Sequence, residues 1–128
     1  KKNMIKTKIN DVELFDVGMK YLSEKLKYTG YEIIQYQSPP LVPQFVVSKN
    51  NCDYFLYVKV KRHPFNIKRI FSDFELNGYS YSCKKRKIGF LIAGLVIENA
   101  VNSELALYKE DKLLIDFSGI IDMGIKYE

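Results

Sequence analysis

Hydrophobic residues recur near the start of the chain with a spacing that predicts a helix. Asn10 and Glu13 have the spacing of a capping box, in which each side chain accepts a hydrogen bond from the other residue's backbone amide. A leucine or glycine then occurs at every fourth position, as in the apolar stripe of an amphipathic helix: Leu14, Gly18, Leu22 and Leu26. Gly30 is suited to a left-handed helix end. Together these signals predict a first helix over residues 11–29.

A second helix is predicted within residues 67–86. Ser72 and Glu75 repeat the capping-box spacing. The residues that follow continue a helical stripe that begins at Phe71 and consists of Phe71, Phe74, Gly78 and Tyr81.

Between the two helices, alternating hydrophobicity predicts three strands. Tyr31 to Tyr36 is the first strand, and the proline-containing segment 38–43 ends it, because proline cannot donate to a ladder. Phe45 to Lys49 and Tyr54 to Arg62 flank an Asn-Asn-Cys-Asp turn, which predicts a β-hairpin. In its second strand, alternation places Tyr54, Leu56, Val58 and Val60 on one face and Phe55, Tyr57, Lys59 and Lys61 on the other.

The last third of the chain predicts a buried strand and a second hairpin. Ile88 to Ile97 is almost continuously apolar, which suits a central strand covered on both faces, and it is about half the length of a membrane-spanning helix. Leu105 to Tyr108 and Leu113 to Phe117 flank a charged turn, which predicts the second hairpin. We therefore expect a flexible arm over residues 1–10 and a single α+β domain over residues 11–128, with a mixed central sheet.

Composition narrows the possible classes of protein. A hydrophobic content of 47% in 128 residues is sufficient for one folded core. Two cysteines are too few for a disulfide framework or a four-cysteine zinc site. No charged-then-apolar secretory leader opens the sequence, so we expect a cytoplasmic location and no membrane association. The pattern predicts no cofactor.

Positive charge is concentrated in residues 59–87, where nine lysine and arginine residues face only Asp73 and Glu75. Such a segment could attract phosphate or an acidic partner, although ordinary solvated surface in a lysine-rich sequence is the more frequent explanation. If the segment binds nucleic acid, the contacting residues are expected to be Lys59, Lys61, Arg62, Lys84, Lys85, Arg86 and Lys87. Tyr79 and Tyr81 would add aromatic surface for stacking, or would lie in the core or on a half-buried helix face.

The order helix, three strands, helix, strand resembles the core of the restriction-endonuclease-like superfamily. The resemblance centres on Tyr57-Val58-Lys59-Val60-Lys61 at the end of the hairpin. Active members usually carry an acid, an apolar residue and a lysine at such a position, with an aspartate on the preceding strand. Lys61 matches that lysine, but Lys59 occupies the place of the acid. The aspartate position is expected near Val46, where Gln44 is the nearest polar residue upstream.

These differences argue against metal-dependent cleavage by this motif. The site that the resemblance implies holds Mg²⁺ through carboxylate oxygens, and a lysine ammonium at the same place repels the cation. A nuclease would need relocated acids, for which Asp73, Glu75 and Glu98 are the candidates.

The chain also resembles a closer group of small Bacteroidetes proteins of uncharacterised role. The likeness lies in Pro43 to Val47, Tyr57 to Pro64, Gly94-Leu95 and Leu114 to Gly119. Some of these relatives carry the label of a sodium-translocating NADH-quinone reductase subunit. The residues do not support that activity, because the sequence has no glycine-rich dinucleotide turn, no iron–sulfur cysteine spacing and no spanning helix.

Two single residues have reactive side chains. His63, the only histidine, precedes a proline and is interpreted as a strand terminus. Cys83 is followed by Lys84 and Lys85, which would lower the pKa of its thiol, although a lone cysteine near lysines is more often incidental.

The sequence therefore favours a non-catalytic domain that acts through a protein partner or through self-association. Nucleic-acid binding by the basic segment is the alternative, and a nuclease with relocated acids is the third hypothesis.

Overall fold

Two helices lie on opposite faces of a six-stranded mixed sheet in the computed structural model, which describes residues 7–124. The helices are α1 (Asp11–Tyr28) and α2 (Asp73–Arg86), and a 3-10 turn (Ile67–Arg69) precedes α2. The strands are β1 (Glu32–Tyr36), β2 (Phe45–Lys49), β3 (Cys52–Arg62), β4 (Gly89–Asn99), β5 (Leu113–Phe117) and β6 (Ile121–Asp122). The predicted α+β class, both helices and the first four strands are confirmed.

The sheet has the order β1-β2-β3-β4-β5, and β6 pairs with the first half of β4. β3 and β4 are parallel, whereas every other pair is antiparallel. A parallel pair needs a crossover connection, and α2 provides it. The first turn of α2 therefore lies near the end of β3, and its last turn lies near the start of β4.

The face of the sheet toward α1 holds the larger core cluster. The predicted capping box is present at Asn10 and Glu13. Met19, Leu22 and Leu26 pack against inward-facing residues of three strands, namely Phe45, Val47, Leu56, Val58, Leu91 and Leu95. Gly18 lets the helix approach β3, because a Cβ at this position would lie 2.6 Å from a methyl group of Val60.

The face toward α2 holds an aromatic cluster. Tyr57 is only 2% exposed, and its ring stacks on the ring of Tyr79 with centroids 3.9 Å apart. Phe71, Cys83 and Phe90 belong to the same buried cluster. The two faces of β3 are therefore divided as alternation predicted.

The stripe predicted for α2 does not face the sheet beyond Phe71. Phe74 is 87% exposed and Tyr81 is 68% exposed, so both point away from the sheet. The residues that face the sheet are Leu76, Tyr79 and Cys83. Both sets have helical spacing, and periodicity alone does not say which of two stripes is covered.

The prediction of a second hairpin is wrong. β5 pairs with β4, and Leu105 to Tyr108 form no strand of a hairpin with it. Instead, Tyr108 forms an isolated bridge with Lys8, and the amide of Ile9 donates to the carbonyl of Leu107 at 2.9 Å. Ile9 is buried, so the last residues of the expected arm are attached to the fold, while residues 1–6 lie outside the described residues.

Two glycines in helix interiors give a matched test of this packing. At Gly78 an added Cβ would contact no atom within 4 Å outside its chain neighbours and the nearby backbone of its own helix. Alanine there should stabilise the fold by about 0.5–1 kcal/mol through helix propensity. Gly18→Ala gains the same propensity but overpacks against Val60, which costs about 1–3 kcal/mol. Thermal unfolding of dilute protein should show a higher Tm for Gly78→Ala and a lower Tm for Gly18→Ala. Equal shifts for the two variants would contradict the packing described here.

Candidate functional site

The two lysines of the resembled nuclease motif lie on the α2 face near the end of β3. The Lys59 ammonium donates to Glu75 Oε1 at 2.6 Å and lies 5.8 Å from the centre of the Phe71 ring. Glu75 is the third residue of α2 and completes a capping box with Ser72. Lys59 is thus neutralised by a carboxylate that comes from the helix rather than from the strand.

The Glu75 carboxylate is held in its ionised form. Its partial burial opposes ionisation, but hydrogen bonds from Lys59 and from the backbone and hydroxyl of Ser72 outweigh that effect. The pKa of Glu75 is consequently lower than that of an ordinary glutamate.

Gln44 lies where β2 begins beside β3. Its side-chain oxygen accepts a hydrogen bond from the amide of Val58 at 2.7 Å, and the residue is 5% exposed. The expectation that the aspartate position opposite the lysines falls near Val46 is wrong, because Val46 pairs with Phe55, four residues before Lys59.

The turn of the hairpin is the physical reason for this register. Asn50 and Asn51 both have positive φ, at 54° and 64°, as a two-residue type I′ turn requires. Lys49 therefore pairs directly with Cys52, and β3 begins two residues earlier than predicted. The Asn-Asn pair was the sequence signal that could have given the register.

The three acids proposed for a relocated metal site have different surroundings. Glu75 pairs with Lys59, whereas Glu98 Oε1 lies 3.5 Å from His63 Nδ1. The other ring nitrogen of His63 lies 3.5 Å from Glu104. Asp73 is exposed at the start of α2. Within residues 7–124, no three histidine, cysteine or acidic side chains are grouped so that they could hold a metal ion.

The basic residues form two separate groups instead of one patch. Near the end of β3, Arg62 donates to the carbonyl of Ile9 at 2.6 Å and to Asp11 at 3.1 Å. Lys84 to Lys87 lie at the opposite end of α2, and Lys84 is about 14 Å along the helix axis from Glu75. The seven residues expected to bind nucleic acid together are therefore divided between two ends of the domain.

Cys83 does not have the activated thiol that its neighbouring lysines suggested. It is fully buried against the sheet, and its sulfur lies 3.9 Å from the Tyr57 hydroxyl. Burial raises the pKa of the thiol, although the Tyr57 hydroxyl and Arg86 act in the opposite direction. The alternative of a lowered pKa is contradicted, because Lys84 and Lys85 are exposed to solvent whereas Cys83 is buried in the core.

The outer side of α2 carries exposed aromatic surface. We call Phe74, Gly78 and Tyr81 the α2 outer face. Phe74 and Tyr81 are seven residues apart, which places them on one side of the helix. Gly78 lies between them and leaves open space. Sequence periodicity detects the stripe, but it does not show that the stripe is exposed.

Residues 12–123 of the chain match a protein family described as a domain of unknown function (DUF8840). The chain belongs to this family. The match runs through both helices and all six strands, so the DUF8840 region includes Lys59, Glu75 and the α2 outer face. No curated protein matches the chain. Neither helix in the described part of this DUF8840 member has the length and apolar character needed to cross a membrane.

Because the pKa of Glu75 is lowered, its contribution to the stability of the fold should depend on pH. A carboxyl group whose folded pKa lies below its unfolded value stabilises the fold above the unfolded pKa, and this stabilisation is lost as the pH falls through the folded pKa. Glu75→Gln keeps a capping-box residue but removes the charge. We expect this variant to be about 1 kcal/mol less stable at pH 7, because the ion pair is partly solvated. The difference should disappear below the folded pKa of Glu75.

Urea unfolding at several pH values measures this difference. The matched control is Glu24→Gln, because Glu24 is an exposed residue of α1. A difference for Glu75→Gln that is the same at pH 7 and at pH 2.5 (about two units below the ordinary glutamate value) would exclude the proposed role of the charge.

Proposed function

We propose that this chain is a non-catalytic domain that acts by protein association, and that the α2 outer face is its contact surface. The exposure of Phe74 and Tyr81 on one side of α2 is the observation that carries the proposal. Exposed aromatic side chains that lie close together are typical of interaction sites. Covering the Phe74 ring fully is worth about 1.5–3 kcal/mol.

The surroundings of Lys59 support a non-catalytic role. We propose that the domain has a restriction-endonuclease-like fold, since the order of helices and strands and the parallel β3–β4 pair joined by α2 agree with it. At the position of the resembled site, the Lys59 ammonium bonds Glu75 and the Gln44 amide oxygen bonds the Val58 amide. These polar groups therefore stabilise the domain itself, which argues against their use on a substrate.

Site-specific photo-crosslinking in the cells that naturally produce the chain tests this proposal. A benzophenone amino acid at position 74 should give a covalent protein adduct, because this position is expected to lie in an interface. The same group at position 28 is the control, since Tyr28 is 91% exposed at the end of α1, on the other face of the sheet. Adducts from neither position, or equally from both, would count against the α2 outer face as a contact surface.

Nucleic-acid binding is the second candidate, and the surroundings of Tyr81 favour it. Tyr81 is 68% exposed, and Lys84 and Lys85 follow it by about one turn on the same exposed side of α2. An exposed aromatic ring beside cations is the arrangement that binds single strands, with stacking on the ring and phosphates near the lysines.

Binding of labelled single-stranded DNA and RNA over a salt series tests this candidate. If Lys84 and Lys85 contact phosphates, replacing both with glutamine should reduce the slope of log K against log salt by about 1.4, from about 0.7 per contact. Replacing Lys20 and Lys27, which are exposed on α1, should leave the slope unchanged. No binding by the unmodified protein at low salt would eliminate the candidate.

A further inference from the structure

We infer that a second copy of the chain occupies the α2 outer face, in an antiparallel pair of α2 helices with a two-fold axis near Gly78. This inference rests on the proposed function and names the partner. Its basis is that the residues of the face complement themselves when the helix is turned end to end.

The aromatic residues are arranged almost symmetrically about Gly78. Phe74 precedes it by four residues and Tyr81 follows it by three. In an antiparallel pair centred near Gly78, Phe74 of each copy lies level with Tyr81 of the second copy. A two-fold interface of this type uses the same patch on both subunits, as isologous dimers do. The two aromatic contacts then form together, one on each side of the axis.

Gly78 permits a close approach at the centre of such a pair. Apart from its chain neighbours and the nearby backbone of its own helix, no atom lies within 4 Å of the position where its Cβ would be, so the surface is open there. The distance between packed helix axes depends on the side chains at the contact, and a glycine at the crossing gives the shorter distances. The aromatic rings on either side then reach the facing helix.

The charges select the antiparallel orientation. Asp73 stands at the start of α2 and Lys84 in its last turn, eleven residues later, which places both on the same flank of the helix. Antiparallel pairing brings Asp73 of each copy next to Lys84 of the other on one flank of the pair. Parallel pairing would place the two first turns level with each other, so Asp73 would not meet Lys84. Neither residue forms an ion pair within residues 7–124. The helix dipoles also oppose each other in the antiparallel arrangement.

The interface is small. α2 has 14 residues and is about 21 Å long, so a contact through this helix alone buries less than the roughly 1,600 Å² of a standard stable interface. The dimer should therefore dissociate on dilution, which allows its equilibrium to be measured by sedimentation.

A charge exchange between two variants tests the pairing. Asp73→Lys places a lysine opposite Lys84 of an identical copy, and Lys84→Glu places a glutamate opposite Asp73. Each variant alone should self-associate at least about tenfold more weakly than the unmodified protein, because like charges face each other at both ends. An equimolar mixture of the two variants should recover the dimer, since opposite charges then meet at both ends. Sedimentation velocity over a concentration series, with circular dichroism to establish folding, measures all three samples.

Gly78→Ala provides a second test that does not depend on charge. The added methyl group stabilises the helix of the monomer, but it separates the two helices at the axis. We therefore expect a higher Tm in dilute solution together with several-fold weaker dimerisation. A variant that merely unfolded would lower both quantities. This test decides the question if either charged variant does not fold.

Three results would overturn the inference. These are an unmodified protein that stays monomeric at every concentration, a variant mixture that remains monomeric, and a Gly78→Ala protein that dimerises as strongly as the original. An adduct from position 74 with a mass other than twice that of the chain would also exclude the second copy, but it would leave the proposed association function intact. If position 74 gives no adduct, both the proposed association function and the inferred second copy are excluded.

Discussion

The parallel pairing of β3 with β4 is the constraint on which the rest of the structure depends. Parallel strands cannot be joined by a short turn, so the chain between them must cross the sheet, and it does so as α2. This crossing sets the direction of the helix. The acidic first turn of α2 meets Lys59 near the end of β3, and the basic last turn lies at the other end of the sheet.

The chemistry at the end of β3 follows from that geometry. Lys59 in its strand position would leave a partly buried positive charge, and the crossover brings Glu75 to neutralise it. The same carboxylate caps the helix through Ser72. One side chain therefore stabilises both the start of α2 and the charge on β3, and these two functions account for its lowered pKa.

The same helix has a second apolar stripe that does not pack against the sheet. Leu76, Tyr79 and Cys83 cover the sheet, while Phe74 and Tyr81 point into solvent. A helix that only covered a sheet would carry polar residues on its outer side. The exposed aromatic residues are thus a feature that packing within residues 7–124 does not explain, which is why the proposed association function is placed on this surface.

The sequence by itself determined the local elements, because their signals come from residues close together in the chain. The capping boxes at Asn10 and Ser72 located the starts of the helices, and the apolar run from Ile88 located the buried strand. Only the tertiary structure decided which stripe of α2 is covered, that β5 pairs with β4, and that the Cys83 sulfur is buried. Periodicity gives the relative directions of side chains on one element. It does not identify the partner of that element, because distant segments of the chain supply the contacts that cover it.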